Sequence, residues 1–365
     1  MKKIGILTFH YTNNPGSVLQ SFALKKTIES LGYSCDVINY QKKGWKTETE
    51  RRYFASLKKK SSILKCIVAF FLKKLKETPK NHAYKKFMEK YLTPFPKKPV
   101  NRNHLSFVSD YDCYVAGSDQ IWNFSNSKVD STYLLDFALN GKKRVSYAAS
   151  IGSSSLPNHE LFAKCLQEFD FISVRENSGL LALKGLTNKK IDVVLDPTLL
   201  LENDFWASFS NKLASKKRFV LVYMREKSIS LFKAAEKYAN ENFCEIIEIA
   251  GFRSIGKNSK HVFLPNPKEW LAYIQQSEAV FTNSFHGVVF SINFNKLFFV
   301  ELAKEAQVST NSRLIDILHT FDLESRIISE QFSSSDYEPI DYNLVNDKLK
   351  KLRKDSIIFL RKALE

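Results

Sequence analysis

The segment AVFTNSFHGVVFSINFNKLFFV, from Ala279 to Val300, predicts a strand, a tight loop, a helix and a second strand in direct succession. Its first four residues are apolar, which is typical of a strand buried on both faces of a parallel sheet. Asn283 and Ser284 are favourable helix N-cap residues, because their side-chain oxygens accept hydrogen bonds from free backbone amides. Ser284, His286 and Gly287 are therefore expected at the carboxyl end of a strand and the amino end of a helix.

This position gives His286 two interpretations. Open α/β sheets bind ligands at the carboxyl ends of their strands, and the amino terminus of a helix favours anions. A histidine placed there is a candidate acid or base for catalysis. The alternative is a structural residue that caps the helix or packs beneath it, and the sequence pattern leaves both interpretations open.

The composition is that of an ordinary soluble globular protein, with 44% hydrophobic and 25% charged residues among 365. The net charge of +17 indicates a partner of opposite charge, such as nucleic acid, an anionic membrane surface or a phosphorylated substrate. The lysines are scattered and the aromatic residues lie mainly in core-like runs, so the sequence predicts no platform on which bases would stack. We therefore expect no nucleic-acid partner.

The five cysteines are odd in number, form no CxxC pair and lie mainly in apolar runs. This pattern predicts reduced, buried thiols and a cytoplasmic protein, and it disfavours a zinc site. We expect no signal peptide, because Lys2 and Lys3 lead directly into a strand. No apolar run approaches the ~20 residues that a membrane-spanning helix needs.

Buried strands alternate with helices along most of the chain, and polar loops repeatedly follow the strands. This alternation predicts an α/β protein with two Rossmann-like, doubly wound domains that face each other across a cleft. We assign residues 1–200 to the N-terminal domain and residues 201–340 to the C-terminal domain. The basic, amphipathic segment 341–365 is predicted to be a helix that packs back on the N-terminal domain.

A basic, aromatic insertion interrupts the N-terminal domain at about residues 42–100. Within it, Ser62 to Leu72 is apolar and has lysine clusters on both sides. The segment suits an interfacial helix held on anionic lipid, and it equally suits a helix packed on the domain with its lysines in solvent. The run PFPKKP, from Pro94 to Pro99, is predicted to be a linker or turn.

Polar loops at the strand ends supply the candidate site residues. The loop HYTNNPGS after the first strand has neither the GxGxxG nor the GxxxxGK[ST] pattern, and an ordinary turn is the alternative interpretation. Arginines, a helix amino terminus and a histidine would suit a phosphate-bearing substrate and acid catalysis. For Arg175 the alternative is a surface ion pair with Glu176. The residues expected to line the cleft are His10, Asn13, Gly16, Ser17, Asp119, Gln120, Arg175, Glu176, Asp196, Arg225, His286 and Arg313.

Seven motifs follow one another in the order NNPGSVLQSFAL, VAGSDQIWN, SYAASIG, ISVREN, VVLDPTLLL, TNSFHG and NSRLIDIL. Together they resemble the bacterial polysaccharide pyruvyl transferase family over about residues 1 to 320. The resemblance implies an architecture similar to GT-B glycosyltransferases. It also implies transfer of pyruvate from phosphoenolpyruvate onto two hydroxyls of a sugar, with formation of a ketal and release of phosphate. Phosphoenolpyruvate would be the donor substrate, and neither a metal nor a redox cofactor would be required.

The resemblance implies roles for particular residues. His286 would be the general acid, Arg175 would hold phosphoenolpyruvate, and Asp119 would be the base or would bind acceptor hydroxyls. Many family members have Arg two residues before this histidine, where the chain has Ser284, so Arg313, Arg225 or a lysine is expected to substitute. The implied substrate-binding residues are Asn13, Gly16, Ser17, Gln120, Asn283, Ser284, Gly287 and Arg313.

The acceptor implied by the resemblance is a glycan of a capsule or exopolysaccharide, and we expect it to be lipid-linked at the cytoplasmic face of the membrane. A peripheral contact with anionic lipid would agree with the positive charge. The alternative function is a GT-B glycosyltransferase that uses a nucleotide sugar, since one fold serves many reactions. The ExxxxxxxE pattern common in retaining GT-B enzymes does not follow His286.

Overall fold

Two parallel β-sheets with helices packed around them make up the described part of the protein. The structure is a computed structural model, and it describes residues 1–42, 81–107, 110–124, 129–139, 141–152, 156–214, 217–252, 254–303, 311–329, 332–333 and 338–365.

The first sheet has seven parallel strands in the order β3-β2-β1-β4-β5-β6-β7. In its centre Ile4 of β1 pairs with Cys35 of β2 and with Cys113 of β4. The strand order reverses between β1 and β4, and this reversal leaves a crevice at the carboxyl ends of the two strands. The strands are β1 (Lys3–Leu7), β2 (Ser34–Tyr40), β3 (Phe95–Val100), β4 (Cys113–Ala116), β5 (Lys143–Ala149), β6 (Phe171–Val174) and β7 (Ile191–Val193).

The second sheet has five parallel strands in the order β10-β9-β8-β11-β12, and its order reverses between β8 and β11. Phe281 of β11 pairs with Val222 of β8 and with Phe299 of β12. The prediction of an α/β protein with two Rossmann-like domains in a GT-B-like arrangement is confirmed. The strands are β8 (Phe219–Met224), β9 (Glu245–Ala250), β10 (Lys260–Val262), β11 (Ala279–Thr282) and β12 (Leu297–Val300).

Helices connect the strands, and the one after β11 is buried along its whole length. Its sequence, FHGVVFSIN, has no polar stripe, because a helix that is covered on every side needs no solvent-facing surface. The helices are α1 (Pro15–Ser30), α2 (His159–Leu166), α3 (Asn177–Leu183), α4 (Asn203–Phe209), α5 (Ile229–Glu241), α6 (Pro267–Gln276), α7 (Phe285–Asn293), α8 (Asn311–Thr320) and α9 (Tyr342–Leu364).

The C-terminal helix α9 returns to the first sheet and packs beside the chain that follows β7. The Ser356 hydroxyl accepts a hydrogen bond from the Leu195 amide at 3.0 Å, and Arg353 Nε donates to the Leu199 carbonyl at 2.7 Å. The Phe359 ring lies 6.3 Å from the Tyr147 ring, measured between centroids. The helix therefore covers the edge of the N-terminal sheet while its sequence neighbours belong to the other half of the chain.

Two segments differ from the sequence predictions. Residues Phe95–Val100 form the edge strand β3, whereas a linker or turn was expected from the prolines. Prolines are compatible with an edge strand because one side of it needs no ladder hydrogen bonds. Helix α1 begins at Pro15, inside the segment HYTNNPGS that was expected to be a loop, and proline favours the first turn of a helix. The apolar segment from Ser62 to Leu72 lies outside the described residues.

Free thiols are present at Cys35, Cys113 and Cys165, all buried, and at the half-buried Cys244. Burial raises the pKa of the Cys113 thiol to about 12, so this cysteine stays protonated and unreactive at neutral pH. Cys66 lies outside the described residues. Within the described ranges no helix is long and apolar enough to cross a lipid bilayer, and no group of His, Cys, Asp and Glu is arranged to hold a metal ion.

Candidate active site

The crevices of the two domains meet where Gly16, at the start of α1, touches His286, at the start of α7. A Cβ atom built on Gly16 would lie 2.2 Å from His286 Cγ, far inside the distance that real side chains reach. Only glycine therefore permits this approach of the backbone to the imidazole ring. The contact brings the loop after β1 and the histidine after β11 to one place, although 270 residues separate them in the sequence.

A buried cluster of charges lies beside this contact and centres on Asp196. Arg175 Nη1 donates to Asp196 Oδ2 at 2.8 Å, Arg175 Nε donates to Glu176 Oε2 at 3.4 Å, and Asp119 Oδ1 is 4.0 Å from Arg175 Nη1. The side chains of Arg175 and Asp196 are 2% and 0% exposed. The interpretation of Arg175 and Glu176 as a surface ion pair is therefore wrong. Charges buried this deeply are stable only when each retains its partner.

His286 joins the cluster from the other domain. Its Nε2 lies 3.8 Å from Asp196 Oδ2, and the residue is only 5% exposed. Burial lowers the pKa of His286, and the carboxylates of Asp196 and Asp119 counteract this effect only in part. Without a further anion nearby, the imidazole is thus biased towards its neutral form.

Asp119 occupies the loop that follows β4, with a left-handed backbone at φ +66°. Aspartate tolerates this region better than most residues, and the Ser150 amide fixes the loop by donating to the Asp119 carbonyl at 2.9 Å. Burial alone would raise the pKa of Asp119, but His286 when it is protonated, the Arg175 guanidinium and the Ser17 hydroxyl hold it below its usual value. The carboxyl group is therefore ionised at neutral pH.

Two guanidinium groups lie close to the ring of Phe285. Arg175 Cζ lies 4.1 Å from the ring centroid, and Cζ of Arg313 on α8 lies 5.9 Å from it, within the range of a cation–π interaction. Burial, together with the charge of Arg175, lowers the pKa of Arg313 to about 10. Two like charges are therefore held close together on one aromatic ring. Phe285 was not predicted, and its only sequence signal is its place between Ser284 and His286.

Four buried nitrogen atoms near the cluster have no hydrogen-bond partner in the part of the chain that the structure describes: Arg175 Nη2, Arg313 Nε, His286 Nε2 and Gln120 Nε2. A buried polar atom without a partner costs about 1–3 kcal/mol. Such atoms are uncommon in native proteins, and several in one place indicate a position where a ligand supplies the acceptors.

Three of the predicted binding residues make structural contacts. Asn283 Oδ1 accepts from the Arg225 amide at 2.8 Å, and Asn283 Nδ2 donates to the Glu226 carbonyl at 2.9 Å, so this side chain joins the loops after β8 and β11. Ser284 caps α7 by accepting from the Gly287 amide at 3.4 Å. Gly287 itself packs against Thr282, whose Oγ1 would lie 2.5 Å from an added Cβ atom.

Of the other predicted residues, Ser17 and Gln120 lie near the charged cluster and Asn13 does not. The Ser17 hydroxyl donates to the Phe9 carbonyl at 2.8 Å, and Ser17 is also a hydrogen-bonding neighbour that lowers the pKa of Asp119. Gln120 Nε2 lies above Gly152, where an added Cβ atom would be 2.1 Å away. Asn13, in contrast, donates to the Asn81 side chain and makes no described contact with the charged cluster.

Asp196 and Glu176 were predicted only to line the cleft, but they make many of the contacts that hold the site together. Glu176 Oε1 accepts from the Ser150 hydroxyl at 2.7 Å and from the amides of Ile151 and Gly152 at 3.0 and 3.1 Å. It thereby fixes the loop after β5 to the end of β6. The available signal was that each residue directly follows a strand, in the runs SVRE and VVLDP.

The chain is similar to several solved structures at low sequence identity. A putative UDP-N-acetylglucosamine 2-epimerase from Listeria monocytogenes has 9% identity, a TM-score of 0.48, and coverage of 99% of this chain and 90% of that chain. The UDP-GlcNAc 2-epimerase from Methanocaldococcus jannaschii has 10% identity, a TM-score of 0.45, and coverage of 96% and 100%. The ADP-heptose LPS heptosyltransferase II from E. coli has 10% identity, a TM-score of 0.38, and coverage of 97% and 99%. No curated protein matches the chain by sequence.

A family model described as polysaccharide pyruvyl transferase matches residues 14–300, which is most of the chain. The matched span contains the loop with Gly16, the charged cluster of Asp119, Arg175 and Asp196, and the helix that begins next to His286. The chain therefore belongs to the polysaccharide pyruvyl transferase family.

Proposed function

We propose that the protein transfers pyruvate from phosphoenolpyruvate to two hydroxyls of a sugar in a polysaccharide repeat unit, forming a ketal and releasing phosphate. The observation that carries the proposal is the set of buried, unpartnered nitrogens on Arg175, Arg313 and His286 within the described residues. Phosphoenolpyruvate carries a carboxylate and a phosphate, so one small molecule offers acceptor oxygens to all three groups. Charge-assisted hydrogen bonds of this kind are among the strongest in proteins.

The donor is proposed to bind between the two arginines on the Phe285 ring. Burial first, and then repulsion by the like charge of Arg175, lower the pKa of Arg313 to about 10. An anion placed between Arg175 and Arg313 removes that repulsion, so binding is favoured by more than the new contacts alone. Arg313 thus takes the place of the arginine that many family members have at position 284, and the exposed Arg225 is the less suitable substitute.

His286 is proposed to protonate the methylene carbon of phosphoenolpyruvate. The bound anion adds negative charge beside the imidazole, so it raises a pKa that burial had lowered. Protonation leaves an oxocarbenium-like centre at the neighbouring carbon, which the first sugar hydroxyl attacks. The second hydroxyl displaces phosphate from the same carbon and completes the ketal. Of the two hydroxyl protons, one is balanced by the new methyl group and the other leaves with phosphate.

Asp119 is proposed to accept the proton of an attacking hydroxyl. Its carboxyl group is ionised, since neighbouring positive charges hold its pKa below the usual value. It lies 4.0 Å from Arg175, next to the proposed donor position, so a hydroxyl bonded to it would face the reacting carbon. General acid and base catalysis by such groups typically accelerates a reaction ~10²–10⁴-fold.

Ligand-dependent thermal unfolding tests the identity of the donor. Phosphoenolpyruvate is expected to raise the melting temperature, whereas UDP-sugars and GDP-sugars are expected to leave it unchanged, because only a bound ligand stabilises the folded state. Release of inorganic phosphate from phosphoenolpyruvate in the presence of an acceptor glycan tests the reaction itself. Stabilisation by a nucleotide sugar and not by phosphoenolpyruvate would replace this proposal with a GT-B glycosyltransferase.

The acceptor is proposed to be a lipid-linked glycan, reached by a cytoplasmic protein that touches the inner face of the membrane. The net charge of +17 supports this proposal, since anionic lipid attracts basic segments. Flotation with vesicles containing phosphatidylserine tests it, using a variant with Lys58, Lys59, Lys60, Lys73 and Lys74 changed to Gln. A control variant carries Gln at the exposed α9 positions Lys350, Lys351 and Lys354. Only the first variant is expected to lose vesicle binding.

A further inference from the structure

Asp196, in the chain that follows β7, has no role in the proposed reaction, although its side chain is 0% exposed at the centre of the charged cluster. Its Oδ1 accepts hydrogen bonds from the Thr198 amide at 3.0 Å and from the Thr198 hydroxyl at 2.6 Å. Its Oδ2 accepts from Arg175 Nη1 at 2.8 Å. Three donors therefore fix the orientation of the carboxylate, which places a buried negative charge at a defined position.

The same Oδ2 atom of Asp196 faces the imidazole of His286. It lies 3.8 Å from Nε2, too far for a hydrogen bond but near enough for a strong interaction between charges in a buried site. The other ring nitrogen, Nδ1, lies towards Gly16, where an added Cβ atom would be 2.3 Å from it. Nε2 is thus the nitrogen next to the charged cluster, and within the described residues it has no hydrogen-bond partner.

The chain after Asp196 binds along helix α7, which has His286 in its first turn. At the other end of α7, Asn293 Nδ2 donates to the carbonyls of Thr198 and Leu201, both at 3.1 Å. Asn293 is only 3% exposed, so these hydrogen bonds are shielded from water. One short segment therefore contacts α7 at both ends, and these contacts hold Asp196 next to His286.

Four charged groups around the imidazole determine its protonation together with burial. Burial lowers the pKa of His286, Asp196 and then Asp119 raise it, and Arg175 and Arg313 lower it. A neutral imidazole has a proton on one nitrogen and a lone pair on the other, and a carboxylate repels a lone pair that faces it. Asp196 therefore favours a proton on Nε2 in the neutral ring and also favours the doubly protonated ring.

We propose that Asp196 is a positioning residue for the general acid, and that its carboxylate keeps a proton on Nε2 of His286, the atom that faces the donor. This role rests on the proposed pyruvyl transfer, because only that reaction makes His286 an acid. At 3.8 Å the carboxylate makes no hydrogen bond to the ring, so it acts through its charge and leaves the proton available for transfer. Asp196 thereby does more than pair with Arg175.

Nitrogen-15 NMR of the wild-type protein with labelled histidines tests the position of the proton without any measurement of activity. Long-range proton–nitrogen spectra distinguish the two neutral tautomers of a histidine ring, and the signals that disappear in His286→Gln are those of His286. At about pH 7.5 the neutral ring is expected to have its proton on Nε2. A proton on Nδ1 instead would overturn the proposal.

Asp196→Asn tests the charge, and Glu176→Gln is the matched control. Both changes remove a buried carboxylate that pairs with Arg175, but Asp196 lies 3.8 Å from the imidazole, whereas Glu176 accepts from the Ile151 amide in the loop after β5. The same spectra followed across pH are expected to show a lower pKa of His286 in Asp196→Asn and an unchanged one in Glu176→Gln. An equal change in the two variants would reduce Asp196 to a partner of Arg175.

The pH profile of phosphate release is expected to change in the same way. In Asp196→Asn, kcat/KM for phosphoenolpyruvate declines at a lower pH than in the wild type. Its value at neutral pH falls about tenfold or more, because an opposite charge this close changes a protonation equilibrium at least that much. In Glu176→Gln the decline stays at the wild-type pH, whatever the size of kcat/KM.

The outcomes separate this proposal from the proposed function. Full activity of His286→Gln would overturn the proposed acid itself. Loss of activity in His286→Gln, with an unchanged titration of His286 in Asp196→Asn, would overturn the role of Asp196 alone. Circular dichroism shows whether Asp196→Asn is folded, and if it is not, the tautomer of the wild-type ring decides the proposal.

Discussion

Each domain contributes one rim to the cleft, formed by the loops at the carboxyl ends of its strands. The two rims contribute to the site in different ways. The N-terminal rim supplies buried charges, since the carboxylates of Asp119 and Asp196 lie 4.0 and 2.8 Å from Nη1 of Arg175. In the C-terminal rim, Asn283 and Ser284 bond to its own backbone, whereas His286 and Arg313 lie near those charges. Residues adjacent to a catalytic candidate in the sequence can therefore stabilise the loop that carries it. The groups that set the pKa of that candidate come from distant strands.

The largest test of this comparison is His286→Gln, which keeps a polar side chain but removes the titrating ring. Phosphate release from phosphoenolpyruvate is expected to fall ~10²–10⁴-fold in kcat/KM, the range for loss of a general acid. His319→Gln is the control, because His319 is 73% exposed on α8 and pairs with Glu324. Activity of His286→Gln equal to that of the control would show that His286 is not the general acid.

Asp196→Asn tests the charges of the N-terminal rim. The substitution leaves Arg175 buried without its closest carboxylate, and loss of one partner of a buried pair costs ~3–5 kcal/mol. Urea unfolding monitored by circular dichroism is expected to show this loss of unfolding free energy. Asp192→Asn is the control, because Asp192 pairs with the exposed Lys190 and such pairs contribute ~0–1 kcal/mol. Equal destabilisation by the two changes would contradict the central place of Asp196.

The pH dependence of the reaction tests whether the donor binds next to His286. Burial lowers the pKa of His286 below its ordinary value of about 6.5, so the imidazole of the free enzyme loses its proton below that pH. We expect kcat/KM for phosphoenolpyruvate to fall as pH rises through that lowered pKa. The bound anion raises the pKa, so kcat is expected to fall only at a higher pH. Phosphate release measured across a range of pH gives both kcat/KM and kcat. If the two fall at the same pH, the bound donor does not lie next to the imidazole.

The lowered pKa of His286 also predicts how the stability of the fold changes with pH. A histidine whose folded-state pKa is depressed binds its proton more readily when the chain unfolds, so its contribution to stability is complete above about pH 6.5 and is lost as pH falls below it. His286→Gln is therefore expected to lose less stability than the wild type between pH 7 and pH 5. Urea midpoints at the two pH values measure the difference, and parallel losses would contradict the lowered pKa.

Ser284→Ala is expected to have the smallest effect. Loss of an N-cap typically costs ~0.5–2 kcal/mol, and the long 3.4 Å contact to the Gly287 amide places this cap at the lower end. The melting temperature is expected to fall by a few degrees, with KM for phosphoenolpyruvate within twofold of the wild type. An increase of tenfold or more in that KM would show that Ser284 binds the donor, and the contrast between the rims would then fail.

Much of the fold follows from the sequence because the strands are buried on both faces. The strand predicted for the first four residues of the segment, Ala279–Thr282, has the same bounds in the structure, and the second predicted strand of that segment is β12, since apolar runs mark buried parallel strands. The strands β3 and β10 were not predicted. Both lie at sheet edges, where prolines and lysines are tolerated and the apolar signal is weak.

The site was predictable in its location and less so in its contacts. Parallel strands align their carboxyl ends, so the positions of Asp119, Arg175 and His286 near one cleft follow from the strand pattern alone. The direction of a side chain does not follow from that pattern, which is why the hydrogen bonds from Asn283 to the loop after β8 were not predicted. The pairing of Arg175 with Asp196 depends on the register of β6 and β7, which the sequence does not specify.

The contact between Gly16 and His286 makes the fit of the two domains depend on one small residue. The imidazole belongs to the C-terminal domain and the glycine to the N-terminal domain, so a larger side chain at residue 16 would push the two domains apart at this point. The distance between His286 and the buried charges of the N-terminal domain therefore depends on the absence of a single methyl group.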